Sequence, residues 1–209
     1  MNSTKRVVEL IKLQELEAAL KSAALAYENY PLFNYLVGQC NNVASIRQIL
    51  SASVRASRSD IVGFSIGEKK QAVAFFIKPN YKGTHALPFL LSGGAELIFK
   101  HSPQIIFRLL NYERYAMMLK KQYSDENCWY LYSLTVHPRC QHKGLASAVI
   151  RPMLDFLDVT GQSCYLETNK SCNVSMYEHF GFVLLETGKI PGTSVVHYSM
   201  RRDPQNIFK

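Results

Sequence analysis

The sequence predicts a mixed α/β (α+β) fold carried by a single domain spanning residues 1–209. Three observations lead there. Strand-like and helix-like runs alternate along the chain instead of separating into blocks. The first long strand-like runs, DIVGFSI and QAVAFFIKP, are joined only by GEKK, a connection so short that they must pair antiparallel. A chain of 209 residues with 47% hydrophobic and 19% charged side chains can bury one core and is too short to demand a second.

In order, RVVEL reads as a short strand. Leu13, Leu16, Leu20, Ala23, Ala24 and Tyr27 then fall on one stripe of a helix that ends before Pro31. Ile46, Ile49, Leu50 and Val54 mark a second helix, with Arg47, Arg55 and Arg58 around its polar side. These two helices precede the hairpin, whose second strand is stopped by Pro79. After PNYKGTH and ALPFLLSGGAELIFK comes a long helix, with Ser102 as cap and Pro103 at its first position. Ile105, Ile106, Leu109, Leu110 and Met117 form its apolar side, and Arg108, Arg114, Lys120 and Lys121 are expected outside the core.

NCWYLYSLTVHP is the strongest strand in the chain, aromatic and β-branched and closed by proline. From Gly144 the period becomes helical, with Leu145, Val149, Met153 and Leu157 four apart and Pro152 expected to kink the helix. SCYLET is a buried strand and NVSMYEHF a short helix closed by Gly181, while FVLLE and VVHYSMRR are two final strands.

The longest unbroken apolar run, ALPFLL, is far below the roughly 20 residues of a membrane helix, and the N-terminal MNSTKRVVELIKLQELE turns charged early. The expectation is a cytoplasmic protein that does not engage a membrane. Cys40, Cys128, Cys140, Cys164 and Cys172 are scattered without a C-x-x-C pair, which fits reduced thiols and predicts no metal site. A net charge of +8 suits a polyanionic or phosphorylated partner. Its basic residues are dispersed, so a solvated surface is expected rather than a nucleic-acid interface.

The chemistry concentrates where the strand ending at Val136 must turn into the helix beginning near Gly144. The first four N–H groups of a helix have no partner within it, and the helix dipole adds partial positive charge there. Gly144 permits close backbone approach, Ala146 adds little bulk, and His142 and Lys143 add positive potential. The junction is an anion cradle suited to phosphate. It is neither the G-x-G-x-x-G of dinucleotide sites nor the G-x-x-x-x-G-K-[ST] of triphosphate loops.

The hexapeptide QHKGLA, residues 141–146, matches Q/R-x-x-G-x-G/A and resembles the pyrophosphate-binding motif of the GNAT superfamily of acyl-CoA-dependent N-acyltransferases. The resemblance continues through LYSLTVHPRCQHKGLASAVI, YLETNKSCNVSMYEHFGF and SVVHYSMRR. It implies a mostly antiparallel central sheet flanked by helices, with splayed central strands. It also implies an acyl-CoA-binding core over residues 128–202 and a variable acceptor side over residues 12–127. The implied activity is transfer of an acetyl or longer acyl group from acetyl-CoA to the primary amine of a small molecule, by direct attack in a ternary complex.

On this resemblance, Leu134 and Val136 offer backbone groups to the pantetheine arm, and the amides of Gln141, His142, Lys143, Gly144, Leu145 and Ala146 hold the pyrophosphate. The family often has glycine where this chain has His142, and a side chain there works against a positive φ. Asn173 would lie near the pantetheine, or else cap the NVSMYEHF helix. Tyr177 would act as general acid toward the departing thiolate, or else pack with Val174 and Phe180 on one helix face.

An alkyl amine is neutral in only ~1 of 2,500 molecules at pH 7, so attack needs a proton acceptor or a desolvated site. Glu113, Glu167, His85 and His101 are candidates, each with a surface or structural role as the alternative. Tyr27, Tyr30, Phe33, Tyr81 and Phe89 are candidates to line the amine pocket, with core packing as the alternative. His137 and His197 have no ligand-like companions and are expected to be ordinary surface or strand residues. A non-catalytic acyl-CoA sensor is the rival reading, and the assembly is open between monomer and homodimer.

Overall fold

The computed structural model describes residues 7–38, 43–81, 86–100 and 103–205. Its elements run β1 (Val8–Leu10), α1 (Leu16–Ala26), α2 (Pro31–Val37), α3 (Val43–Ala56), β2 (Ile61–Ile66), β3 (Ala72–Ile77), α4 (Ala86–Phe89), α5 (Ala95–Lys100) and α6 (Pro103–Tyr123). They continue with β4 (Trp129–Val136), α7 (Leu145–Thr160), β5 (Cys164–Thr168), α8 (Ser171–Glu178), β6 (Val183–Lys189) and β7 (Val196–Arg202). The strands form one seven-stranded sheet in the order β1-β2-β3-β4-β5-β7-β6. Every neighbouring pair is antiparallel except β4 and β5, as the resemblance implied.

A core lies on each face of this sheet. On one, α1, α2, α3 and the start of α6 pack over Val73 and Phe75; on the other, α7 packs over Ala72, Ala74 and Phe76. β3 is therefore buried along its whole length, which its uninterrupted apolar sequence AVAFFI requires. Alanines at positions 72 and 74 leave room for α7, whose Leu145, Val149, Met153 and Leu157 are all buried. The helix runs from Leu145 to Thr160 with Pro152 inside it.

Two expectations change, and a third lies outside the described residues. Pro31 does not merely end a helix but occupies the first turn of a further one, α2, where its missing N–H costs nothing. The predicted cap Ser102 lies outside the described residues. Lys120, expected at the surface, is only 8% exposed. The helix period placed it correctly on α6 but could not show that its face looks onto tyrosines rather than water.

β4 contains an irregularity that the sequence does not announce. Phe75 pairs with Ser133 while Phe76 pairs with Leu131, so Tyr132 is an extra residue. Strict alternation would put Tyr132 and Leu134 on the same face. With the bulge, Tyr132 and Ser133 both turn toward α1, while Leu131, Leu134 and Val136 turn toward α7.

Candidate active site

β4 and β5 pair only through Trp129 with Cys164 and Tyr130 with Tyr165. From Leu131 onward the two strands part, giving the implied splay. The His137 N–H donates to the Gln71 carbonyl on the β3 side at 2.8 Å. Backbone groups alternate in direction along a strand, so those of Leu134 and Val136 face away from β3 into the splay. There the Gln141 Nε2 donates to the Val136 carbonyl at 3.3 Å.

The cradle follows directly. A short 3-10 turn, Pro138–Cys140, leads into Gln141, and His142 and Gly144 adopt φ of 60° and 70° before α7 begins. The left-handed His142 reverses the expectation drawn from its side chain. Histidine is among the non-glycine residues that occupy this region most readily, and His142 is exposed, so its side chain has nothing to collide with. The Gln141 N–H reaches the Pro138 carbonyl at 3.4 Å, and the first bond into the helix is Ala148 N–H to the Gly144 carbonyl at 3.1 Å. Among the described residues, the N–H groups of residues 142–147 donate to no protein acceptor.

Three tyrosines converge on the splay. Tyr27, at the end of α1, bonds Ser133 Oγ on β4 at 3.0 Å, and Tyr30, before α2, bonds Thr168 Oγ1 on β5 at 3.0 Å. The Tyr30 oxygen also accepts the Asn169 N–H at 2.8 Å. From the other face comes Tyr177 on α8, buried against Phe182 with ring centroids 5.8 Å apart. Its hydroxyl has no hydrogen-bond partner among the described residues. Burial, then the phenols of Tyr27 and Tyr30, hold the Tyr177 pKa well above its ordinary value, so the phenol keeps its proton.

Asn173 is the third residue of α8, whose cap position is Lys170, so the capping alternative fails. Its Nδ2 instead donates to Thr168 Oγ1 at 3.0 Å, joining the hydroxyl that Tyr30 also touches.

On the α1 and α6 side of the splay lies a cavity of about 400 Å3. Tyr27, Tyr30, Phe33 and Tyr81 line it as candidates from the sequence, joined by Tyr112, Tyr130 and Tyr132, which sequence reasoning missed. Phe89 instead belongs to the buried core on this face of the sheet. A wider groove of about 900 Å3 between α2, the start of α8 and residues 192–196 shares Asn169 with this cavity.

Two proton-acceptor candidates from the sequence also line the cavity, Glu113 and Glu167. Glu113 has no hydrogen bond or ion pair among the described residues, and burial alone raises its pKa to about 7. Glu167 is likewise raised to about 7 by burial, against the opposing pull of Tyr130 and Lys120. It accepts the Tyr130 hydroxyl at 2.5 Å. His85 and His101 lie outside the described residues. His137 is a local cap, its Nδ1 accepting the Arg139 N–H at 3.3 Å. His197 is not a surface residue: it is fully buried, 5.3 Å ring to ring from Tyr115, and desolvation lowers its pKa to about 4.

The acetyltransferase (GNAT) family model matches residues 101–182, the stretch that carries α6, the bulged β4, the cradle, α7, β5 and α8. Over that stretch, 82 of the 209 residues, the chain is similar to the GNAT family. An uncharacterized N-acetyltransferase of Schizosaccharomyces pombe is 39% identical to this chain over 68 residues, 32% of the chain and 27% of that protein. The chain thus spans about a quarter of the length of the curated relative it matches.

Solved acetyltransferase structures share the fold over nearly all of the chain. One from Corynebacterium glutamicum, described as histone acetyltransferase HPA2 and related acetyltransferase, has a TM-score of 0.66 at 16% identity, covering 96% of this chain and 97% of its own. Arylalkylamine N-acetyltransferase 2 from Aedes aegypti has a TM-score of 0.61 at 14% identity, covering 97% of this chain and all (100%) of its own. At such identities the likeness is one of fold. Among the described residues, no helix is long and apolar enough to cross a membrane.

Proposed function

We propose that the chain transfers the acetyl group of acetyl-CoA to the primary amine of a small molecule held in the aromatic cavity, by direct attack within a ternary complex. The observation that carries this is the run of unpaired amides at residues 142–147, set at a splayed strand end that opens toward that cavity. Acetyl-CoA supplies an acyl group already activated as a thioester. The chain has to bind it, orient it and move two protons.

Binding falls to backbone. The amides of His142, Lys143, Gly144, Leu145 and Ala146, on the positive end of α7, fit a pyrophosphate, with Gln141 leading the chain into the turn. Leu134 and Val136 offer strand-edge groups to the pantetheine, as a third strand would. Asn173 positions Thr168 at the opposite wall. A cavity of about 400 Å3 suits a small molecule, and its tyrosine walls suit an amine on an apolar or aromatic body.

The protons fall to side chains. Glu113 receives the proton of the attacking amine, because it is an unpaired carboxyl with its pKa at about 7, close enough to the bulge to act electrostatically on Tyr132. Tyr177, protonated and without a partner, gives its proton to the leaving thiolate.

The test is a calorimetric titration with acetyl-CoA followed by thiol release with a panel of amines. Wild-type protein binds acetyl-CoA and releases thiol with at least one small amine. Gly144→Glu, which places bulk and negative charge in the cradle, binds none. Normal acetyl-CoA affinity in that variant overturns the cradle, and binding without turnover across the panel leaves a non-catalytic acyl-CoA sensor instead.

A further inference from the structure

The cavity holds a second unpaired charge that the acetyl transfer does not use. Lys120 is 8% exposed, and its ammonium stands 5.5 Å from the centre of the Tyr81 ring and 5.1 Å from that of Tyr130. Apart from these ring faces, Lys120 Nζ has no hydrogen-bond acceptor and no ion pair among the described residues. Glu167 is the largest anionic influence on it, but the two form no salt bridge, and Glu167 Oε2 is already taken by the Tyr130 hydroxyl. Burial lowers the Lys120 pKa, which registers the cost of a desolvated ammonium without an acceptor. Ring faces favour the charge but accept none of its three N–H bonds.

Position along α6 gives this ammonium a place relative to the chemistry. Glu113, Ala116, Met117 and Lys120 all line the cavity, so one face of the helix runs along it. Seven residues, two helical turns, separate Glu113 from Lys120, about 10 Å of rise. Glu113 acts on Tyr132 at the bulge, whereas Lys120 lies over Tyr130, where β4 and β5 are still paired. Glu113 therefore marks the end near the splay and Lys120 the deep end. Arg114, also a lining residue, is exposed at the edge.

We propose that Lys120 is a recognition site for the far end of the amine substrate, which is a primary amine bearing a carboxylate, carbonyl or hydroxyl oxygen roughly 10 Å from its nitrogen. The inference rests on the amine-acetylation reading above and specifies its substrate class. The reacting nitrogen meets Glu113, the body lies against the tyrosine rings beside Met117, and the oxygen accepts hydrogen bonds from Lys120. A diamine of the same length is disfavoured, since its second ammonium would be driven against that of Lys120.

A six-carbon series tests this: n-hexylamine, 6-aminohexan-1-ol, 6-aminohexanoic acid and 1,6-diaminohexane. Each is titrated calorimetrically into the full chain and assayed for thiol release with acetyl-CoA. At least one oxygen-tailed amine is expected to bind about tenfold or more tightly than n-hexylamine, the gain of one charge-assisted hydrogen bond, with the diamine weakest. A preference for the acid identifies an anionic tail, and one for the alcohol a neutral oxygen. In Lys120→Met, which keeps an unbranched side chain between the rings without its charge, the ratio between oxygen-tailed and plain amine falls toward one.

The proposal is overturned if the diamine equals the oxygen-tailed amines, if their advantage persists in Lys120→Met, or if none of the four binds. Turnover of n-hexylamine without any tail preference removes this inference and leaves amine acetylation standing. Absence of thiol release from all four, in protein that binds acetyl-CoA, removes the amine-acetylation reading, while the order of binding still decides the role of Lys120.

Discussion

Glu113 carries its carboxyl where ionisation is costly, and that has consequences for both activity and stability. Its pKa stands at about 7 in the folded chain against 4.5 in the ordinary state. As a base it must be ionised, so kcat/KM for a good amine should rise through pH 7. Glu113→Gln should remove that limb and reduce turnover by about 100-fold, whereas Glu167→Gln should retain the limb. For stability the direction is opposite. A raised folded pKa means that the folded state holds the proton more tightly, so the associated stability is complete below pH 4.5 and is lost as pH rises through about 7. Thermal unfolding should show Glu113→Gln more stable than wild type at pH 8 and equal to it at pH 4. Tyr177 has a simpler signature. Tyr177→Phe keeps the packing against Phe182, so turnover should fall by about 100-fold with little change in acetyl-CoA affinity by calorimetry. Undiminished turnover in that variant would remove the acid role. Both residues are visible in the sequence as ionisable or phenolic side chains. That Glu113 has no partner is not visible, because the cavity it lines is also walled by α1, α2, α3 and β4, all distant in the chain.

At the scale of elements, α7 is open at one end and held at the other. Its N-terminal end presents the free amides, and its C-terminal end is tied down by Asp158. That carboxylate takes Arg202 NH1 and NH2 at 2.6 Å each and the Gln205 N–H at 2.7 Å. Arg202 is buried and Asp158 nearly so, with side chains 5% and 9% exposed. Removing one partner leaves a desolvated charge, so Asp158→Ala should cost about 3–5 kcal/mol in denaturant unfolding. A loss below 1 kcal/mol would show that water reaches Arg202 freely. The cradle was legible because its determinants are local: a strand closed by proline, a glycine, and a helix period starting at once. The bulge at Tyr132 was not. It depends on how Phe75 and Phe76 register against β4, and nothing within WYLYS distinguishes a bulged strand from a regular one.

For the whole molecule, the sheet divides the labour. The face under α7 is a dry core that fixes β4 and the cradle, while the face under α1, α2, α3 and α6 leaves a cavity where the amine would lie. The sequence by itself determined the antiparallel hairpin, the strand–turn–helix order around Gly144 and the candidacy of Tyr177, since each is encoded by residues close together in the chain. Only the tertiary structure decided that Glu113 stands unpaired, that Lys120 is buried, that Asn173 binds Thr168 instead of capping a helix, and that Tyr112, Tyr130 and Tyr132 join Tyr27 and Tyr30 around one space. The physical reason is the same in each case. Burial and pairing are set by which faces of distant elements meet, and a periodicity identifies a face without saying what stands opposite.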